Sequence, residues 1–241
     1  MNKKQVTGCD FCVVIPAYQE EPRIGNVVRE VKKYCSRILV VDDGSKDATA
    51  QVARDAGATV ISLPENRGKG AALNVGYQAA RDQKAEFLIA LDADGQHDPA
   101  EIPKFVEAYR RTGIPVLIGN RMADVEGMPL VRKLTNRVMS WMLSSTMGQY
   151  VPDTQCGYRL FRCDVIPFLS SKSQRFAAES EVLLRVAERG IRIDAVRIKT
   201  IYDSHQSKIN PLLDTVRFFR MLYLFRKQHR EREKLRDKQH L

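Results

Sequence analysis

Short apolar runs alternate with longer polar stretches along most of the chain. Phe11-Cys12-Val13-Val14-Ile15, Ile38-Leu39-Val40-Val41, Val60-Ile61-Ser62-Leu63, Phe87-Leu88-Ile89-Ala90 and Pro115-Val116-Leu117-Ile118-Gly119 each read as strands buried on both faces. Between them, residues 22–34, 47–56, 69–83 and 99–112 have the length and mixed polarity of helices. Steady alternation of strand and helix predicts an α/β fold, with a mostly parallel sheet and helices on both faces. In such sheets ligands bind beyond the C-terminal strand ends. The polar clusters fall at that edge: Asp42-Asp43, Gly68-Lys69-Gly70, Asp92 with Asp94, and Arg121.

The segment Leu91-Asp92-Ala93-Asp94-Gly95-Gln96-His97-Asp98-Pro99 follows the fourth strand. On an extended strand end, residues i and i+2 point the same way, so Asp92 and Asp94 are expected to converge. Two converging carboxylates repel unless a cation lies between them. A hard divalent ion, Mg²⁺ or Mn²⁺, suits oxygen ligands and is commonly shared with substrate phosphates. Asp92, Asp94 and Gln96 are therefore candidate metal ligands. A solvated, Asp-rich turn is the alternative for these residues taken alone.

Four stretches together resemble glycosyltransferase family 2: Val14-Ile15-Pro16-Ala17-Tyr18-Gln19-Glu20, Val40-Val41-Asp42-Asp43-Gly44-Ser45, Asn66-Arg67-Gly68-Lys69-Gly70 and Asp92-Ala93-Asp94-Gly95-Gln96. Asp153-Thr154-Gln155-Cys156-Gly157-Tyr158-Arg159-Leu160-Phe161 is similar to the subgroup that moves a sugar onto a polyprenyl phosphate, such as the dolichyl-phosphate mannose and glucose synthases. The resemblance spans about residues 10–210. It implies a Rossmann-like, A-type glycosyltransferase fold, a nucleotide-sugar donor (GDP-mannose or UDP-glucose), a divalent metal and inversion at the anomeric carbon. By the same resemblance, Pro16, Tyr18 and Glu20 match the base and ribose contacts, and Arg121 and Arg132 sit where acceptor phosphate is bound. Asp153 acts there as base or orients the acceptor; a turn residue after Pro152 is the plain alternative.

Composition narrows the setting. The 241 residues suit one large α/β domain with an extension, here 1–210 followed by a basic tail, 211–241. Cys9, Cys12, Cys35, Cys156 and Cys163 are odd in number and scattered, and no secretory signal is evident, which points to a reduced cytoplasmic setting. Cys9 and Cys12 spell a CxxC without a second pair at zinc-site spacing. No run reaches the ~20 apolar residues of a bilayer span. The formal net charge is +10, and residues 217–241 contribute nine Lys/Arg against three acids. In 211–227, Leu212, Val216, Phe219 and Leu222 form a helical stripe with Phe218 and Phe225 beside it. An apolar stripe beside clustered cations fits a helix lying on an anionic membrane surface; the alternative packs it on the domain, in a homodimer or against a membrane subunit. The charge is confined to the tail without a recognition module, so a nucleic-acid partner is not expected. A second amphipathic helix opens at Met128-Pro129. Its Leu130, Leu134, Val138, Trp141 and Ser145 share a face that meets either lipid or the core.

The chemistry follows from the leaving group. A nucleoside diphosphate departs with two negative charges, which a metal on Asp92 and Asp94 would neutralise. Lys69, at a helix start, suits the donor phosphates; Asp43 suits the base; Lys208 is placed to help from a closing loop. A phosphate acceptor is already mostly dianionic and needs cations rather than a base. Arg121, Arg132 and the pair Arg197 and Lys199 are candidates for that task, with Asp94, Asp153 and Arg121 nearest the reacting atoms. A saccharide or other hydroxyl acceptor is the alternative substrate. A nucleotide-sugar-binding partner without turnover is the alternative class.

Overall fold

The computed structural model describes residues 10–123, 128–169, 176–199, 201 and 216–228. Among these, seven strands form one sheet: β1 (Phe11–Ala17), β2 (Ile38–Asp42), β3 (Thr59–Ser62), β4 (Phe87–Ala90), β5 (Val116–Asn120), β6 (Arg159–Arg162) and β7 (Ile193–Arg197). The spatial order is β3-β2-β1-β4-β6-β5-β7. The helices are α1 (Glu21–Val31), α2 (Thr49–Asp55), α3 (Lys69–Asp82), α4 (Ile102–Thr112), α5 (Leu130–Met147), α6 (Phe176–Glu188) and α7 (216–228). The five expected strands and four expected helices are present, and the α/β class holds.

Burial explains the strands. Cys12, Val13, Val14 and Ile15 are fully buried, as are Phe87, Leu88 and Ile89 beside them, so both faces of the sheet centre are covered. β3 is a partly exposed edge, and β7 carries exposed Asp194 and Arg197 on the other edge, where charge discourages pairing with another chain. Two strands were not anticipated. β6 runs antiparallel between β4 and β5. It begins and ends with arginine, which hides it from a search for apolar runs. β7 pairs parallel with β5.

The two amphipathic helices depart from expectation in opposite ways. In α5 the apolar stripe faces outward: Leu130, Leu134 and Trp141 are 81, 66 and 70% exposed, with Val131 and Val138 beside them. The buried side is largely polar, with Asn136, Ser140 and Ser144 one turn apart and only Leu143 apolar. Hydroxyls take the place of side-chain packing: Ser140 Oγ accepts from Thr154 N–H at 2.9 Å, and Ser144 Oγ accepts from Val151 N–H at 2.9 Å. The core-helix alternative for that stripe is thereby excluded. In α7 the buried face is Phe218, Met221 and Leu222, which pack with Leu143 and Leu184. Val216 and Phe219, placed on the packing stripe by the sequence, are 63 and 46% exposed, so the contact is rotated about the helix axis. Arg226 donates to Thr146 Oγ1 at 2.8 Å and ties α7 to α5. Leu212 lies outside the described residues.

Cys12, Cys35, Cys156 and Cys163 are free and buried, and burial raises each thiol well above its ordinary range. Cys9, the other half of the CxxC, lies outside the described residues. α3 packs directly on β1 and β2 through Gly76, where an added Cβ would lie 2.4 Å from Val14 Cγ1. Gly76→Ala is expected to lower stability by about 1–3 kcal/mol through overpacking, read as a shift of the urea unfolding midpoint at unchanged slope.

Candidate active site

Four parallel strands end on one edge, at Ala17, Asp42, Ala90 and Asn120, and the candidate residues gather beyond them. On the β1–β2 side, Pro16 is buried, Tyr18 is 37% exposed and Glu20 is 8% exposed. Glu20 pairs with Arg23 at 2.6 Å, and its N–H donates to Thr49 Oγ1 at 2.8 Å. Asp42 Oδ1 accepts from Ser45 N–H at 3.1 Å and closes the turn after β2. Asp43 is the anchor of the next loop. Its two carboxylate oxygens accept from the backbone N–H groups of Arg67 and Gly68, each at 2.8 Å. Gly68 sits at φ 89° and ψ 153°, a region essentially restricted to glycine. Asp43 and Gly68 together set the direction in which α3 starts, and hence where Lys69 points.

Lys69 reaches across the sheet edge. Its Nζ lies 2.6 Å from Asp92 Oδ1 and 2.8 Å from Glu179 Oε1 on α6. Two close packings make this possible. A Cβ on Gly70 would be 2.9 Å from Ala178 Cβ, so α3 and α6 approach without intervening side chains. A Cβ on Gly157 would be 3.1 Å from Lys69 Nζ and 3.2 Å from Asp92 Oδ2, so the loop before β6 passes directly over the pair. Burial alone would discharge Lys69, but the charges of Asp92 and Glu179 outweigh it and hold the ammonium firmly protonated. For Asp92, burial pushes the carboxyl up and Lys69, with His97, pulls it further down, leaving it below the usual carboxylate range.

Asp92 and Asp94 do not share an extended segment, as the spacing had suggested. β4 ends at Ala90, and Asp94 lies in a turn where its Oδ1 accepts from Gln96 N–H at 2.9 Å. The two carboxylates are nonetheless close enough to interact: burial and then the charge of Asp92 raise the Asp94 carboxyl above its ordinary range. His97 holds the turn from inside. It is 4% exposed, its Nδ1 accepts from Asp92 N–H at 3.1 Å, and its ring lies 5.1 Å from that of Tyr158. Burial pushes its pKa down, so the neutral ring that this hydrogen bond requires is favoured. Gln96 O accepts from Ile201 N–H at 3.1 Å, which brings the chain after β7 against the same turn.

The other half of the edge is organised by two arginines. Arg121 follows β5. Its Nε and Nη2 donate to Asp153 Oδ2 and Oδ1 at 2.8 and 2.9 Å, and its N–H donates to Oδ2 at 3.1 Å. Both side chains are almost fully buried, so this is a desolvated bidentate pair. Arg159, at the start of β6, donates to the carbonyls of Cys156, Glu179 and Thr154 at 2.8, 2.8 and 3.0 Å and fastens the 153–157 loop to α6. Arg132 is partly buried on α5, and Arg197 and Lys199 are exposed at and after the end of β7, where Arg197 is in register with Asn120. Lys208 lies outside the described residues. By sequence alone Glu179 reads either as a residue of the cleft or as a first-turn acid that suits the helix dipole, and nothing there assigns a role to His97, Arg159 or Gly157. Gly157 and Arg159 stood within the quoted 153–161 stretch; the burial that gives them meaning comes only with the tertiary fold.

Among the described residues, no three His, Cys, Asp or Glu side chains form a group able to hold a metal unaided. The donor set fits a hard divalent cation that completes its coordination from elsewhere: two carboxylates whose charges crowd one another, with Gln96 at the same turn. Arg121→Met, which strands the buried Asp153 carboxylate, is expected to cost about 3–5 kcal/mol of stability in urea unfolding, well beyond the effect of an exposed arginine such as Arg197→Met.

The profile of Glycosyl transferase family 2 matches residues 12–168. The chain is 30% identical over 237 residues to the UDP-N-acetylglucosamine–dolichyl-phosphate N-acetylglucosaminyltransferase of Methanococcus voltae, covering 88% of this chain and 94% of the relative. It is 29% identical over 205 residues to the dolichyl-phosphate hexose transferase of Haloferax volcanii, covering 84% and 87%. Its fold matches that of glucosyl-3-phosphoglycerate synthase from Mycobacterium tuberculosis, crystallised with Mn²⁺, UDP-glucose and phosphoglyceric acid. That match has a TM-score of 0.70 at 21% identity, covering 90% of this chain and 80% of the other. A carboxylate turn at the open edge of a mostly parallel sheet is thus accompanied by a family match across most of the domain, and the chain belongs to glycosyl transferase family 2, among relatives named for transfer to dolichyl phosphate.

Proposed function

We propose that the protein transfers a hexose, mannose or glucose, from a nucleotide-sugar to a polyprenyl phosphate at the cytoplasmic face of a membrane, with inversion at the anomeric carbon. The observation that carries this reading is the orientation of α5. Its exposed apolar stripe suits lipid, while Ser140 on its buried side binds Thr154, the neighbour of Asp153. One helix therefore links a lipid-compatible surface to the acceptor side of the site. The dolichyl-phosphate activities of the two named relatives support the same acceptor class.

The residues divide the work along the sheet edge. Tyr18, Glu20 and the Asp43-anchored loop serve the nucleoside, with Pro16 shaping the turn. Lys69, at the N-terminus of α3, serves the donor diphosphate, where the helix end also favours anions. Bound by Asp92, Asp94 and Gln96, a divalent cation would offset the charge that develops on the leaving diphosphate; Mn²⁺ accompanies UDP-glucose in the structural neighbour. On the acceptor side, Arg121 held rigid by Asp153 is a fixed guanidinium, and Arg132 and Lys199 are further phosphate ligands. With both carboxylate oxygens engaged by Arg121, Asp153 orients rather than abstracts a proton, and a phosphate dianion needs none removed. Among the described residues no helix is long and apolar enough to cross a membrane. Attachment is peripheral, through α5 and the basic 211–241 tail, with a second copy or a membrane subunit as the further partner.

The test is transfer of label from UDP-glucose or GDP-mannose into an organic phase containing a short polyprenyl phosphate, with Mg²⁺ or Mn²⁺. Wild type should give metal-dependent counts with one donor, and Asp94→Ala should lose roughly a hundredfold or more. Retained turnover by Asp94→Ala at saturating donor overturns the metal role, and counts with neither donor overturn the acceptor. Separately, Leu134→Ser with Trp141→Ser should weaken binding to anionic vesicles roughly tenfold or more while nucleotide binding is unchanged; equal sedimentation with vesicles removes α5 from the membrane contact.

A further inference from the structure

Lys69 raises a conflict within the site. A divalent cation requires the oxygens of Asp92, yet an ammonium already stands 2.6 Å from Asp92 Oδ1. Two cations in contact with one small carboxylate repel, so the ammonium opposes entry of the metal wherever nothing else holds it. Lys69 also has a second seat, Glu179 Oε1 at 2.8 Å, on a different helix. Its four-carbon stem can swing while α3 stays in place. Gly157 passes over Nζ and both Asp92 oxygens without a side chain, where a Cβ would come within 3.1–3.3 Å of all three.

We propose that Lys69 is a resident counter-ion for Asp92 that withholds this carboxylate from the divalent cation until a nucleoside diphosphate draws the ammonium away. The inference rests on the donor and metal roles given to this site above. Before donor arrives, Lys69 neutralises Asp92 and keeps two buried acids compatible with the fold. The diphosphate brings negative charge to the N-terminus of α3 and offers Nζ a stronger partner. Lys69 then turns from Asp92 towards the phosphates, with Glu179 still beside it. Asp92 is released at the moment when diphosphate oxygens are available to complete a metal's coordination. Cation and diphosphate consequently bind as a pair, each raising the affinity of the other by the same factor.

The experiment measures Mn²⁺ affinity of the full chain by titration, alone and with saturating UDP or GDP in parallel arms. Wild type should bind Mn²⁺ weakly alone and at least tenfold more tightly with one of the nucleotides. Lys69→Met should bind Mn²⁺ alone at least tenfold more tightly than wild type, and the gain on adding nucleotide should fall below threefold. Arg81→Gln removes an exposed positive charge in the last turn of the same helix and reports the effect of net charge alone; it should shift the Mn²⁺ affinity less than twofold. Lys69→Gln is the second neutral variant if circular dichroism shows the Met variant to be unfolded. If wild type gains on nucleotide but Lys69→Met binds Mn²⁺ alone no better than Arg81→Gln does, the counter-ion role is wrong and the metal site stands. If wild type binds no Mn²⁺ with either nucleotide, the metal reading itself fails and takes this inference with it.

Discussion

The ammonium of Lys69 is the charge around which the open edge of the sheet is arranged. Asp92 and Glu179 come from a strand end and a helix that the chain order keeps far apart, and both are largely removed from water. Lys69 is the cation the two carboxylates share, and Arg159 stands 3.7 Å from the other oxygen of Glu179. The approach that lets Lys69 span them depends on small residues, Gly70 against Ala178 and Gly157 over the pair. The conformation at Gly68 and the grip of Asp43 on its amide settle the angle at which the lysine leaves the loop. Backbone geometry, packing and charge thus meet on one side chain.

The Arg121 half of the sheet edge is held together differently. Arg121 and Asp153 satisfy one another, and Arg159 donates to the buried carbonyls of Cys156, Thr154 and Glu179. Both arginines are locked by planar forks that lysine could not reproduce. The 151–157 segment is held on its far side by α5, through Ser144 at Val151 and Ser140 at Thr154. Hydroxyl contacts allow α5 to lie close to that loop with a polar face inward and its large apolar residues outward. A displacement of α5 would therefore be transmitted to Asp153 through two hydrogen-bonded serines rather than through a yielding apolar layer.

Much of the architecture was legible in the order of residues, and the reasons are local. β1, β2 and β4 are apolar on both faces, so their runs stand out at any register. β6 did not stand out, because a buried arginine looks like a surface residue until its carbonyl partners are known. The carboxylate pair at 92 and 94 was found by its spacing after a strand, although a turn and not an extended segment brings the charges together. The stripe on α5 was visible as a pattern, but periodicity identifies a face without saying whether protein or solvent covers it. In α7 the buried face was misplaced because Phe218 and Phe219 are equally apolar, and only the positions of Leu143 and Leu184 choose between them. The partnership of Lys69 with Glu179 had no local signature, since it joins two helix starts more than a hundred residues apart.

The central position of β6 has a consequence for how the chain reaches this state. The strands up to residue 120 emerge in order, and the first four form one contiguous block, β3-β2-β1-β4, joined by helical crossovers. β5, however, never touches β4; the space between them belongs to β6, which is synthesised later and enters in the opposite direction. A nascent chain that has produced β5 therefore carries two incomplete strand edges facing a vacancy one strand wide. Such edges are open to wrong pairing until the 159–162 segment arrives. Non-local closure of this kind is slow compared with helix or hairpin formation. The late strand also brings Arg159 and the loop that bears Asp153, so filling the middle of the sheet and assembling this part of the candidate site are one event, with only β7 left to add at the outer edge.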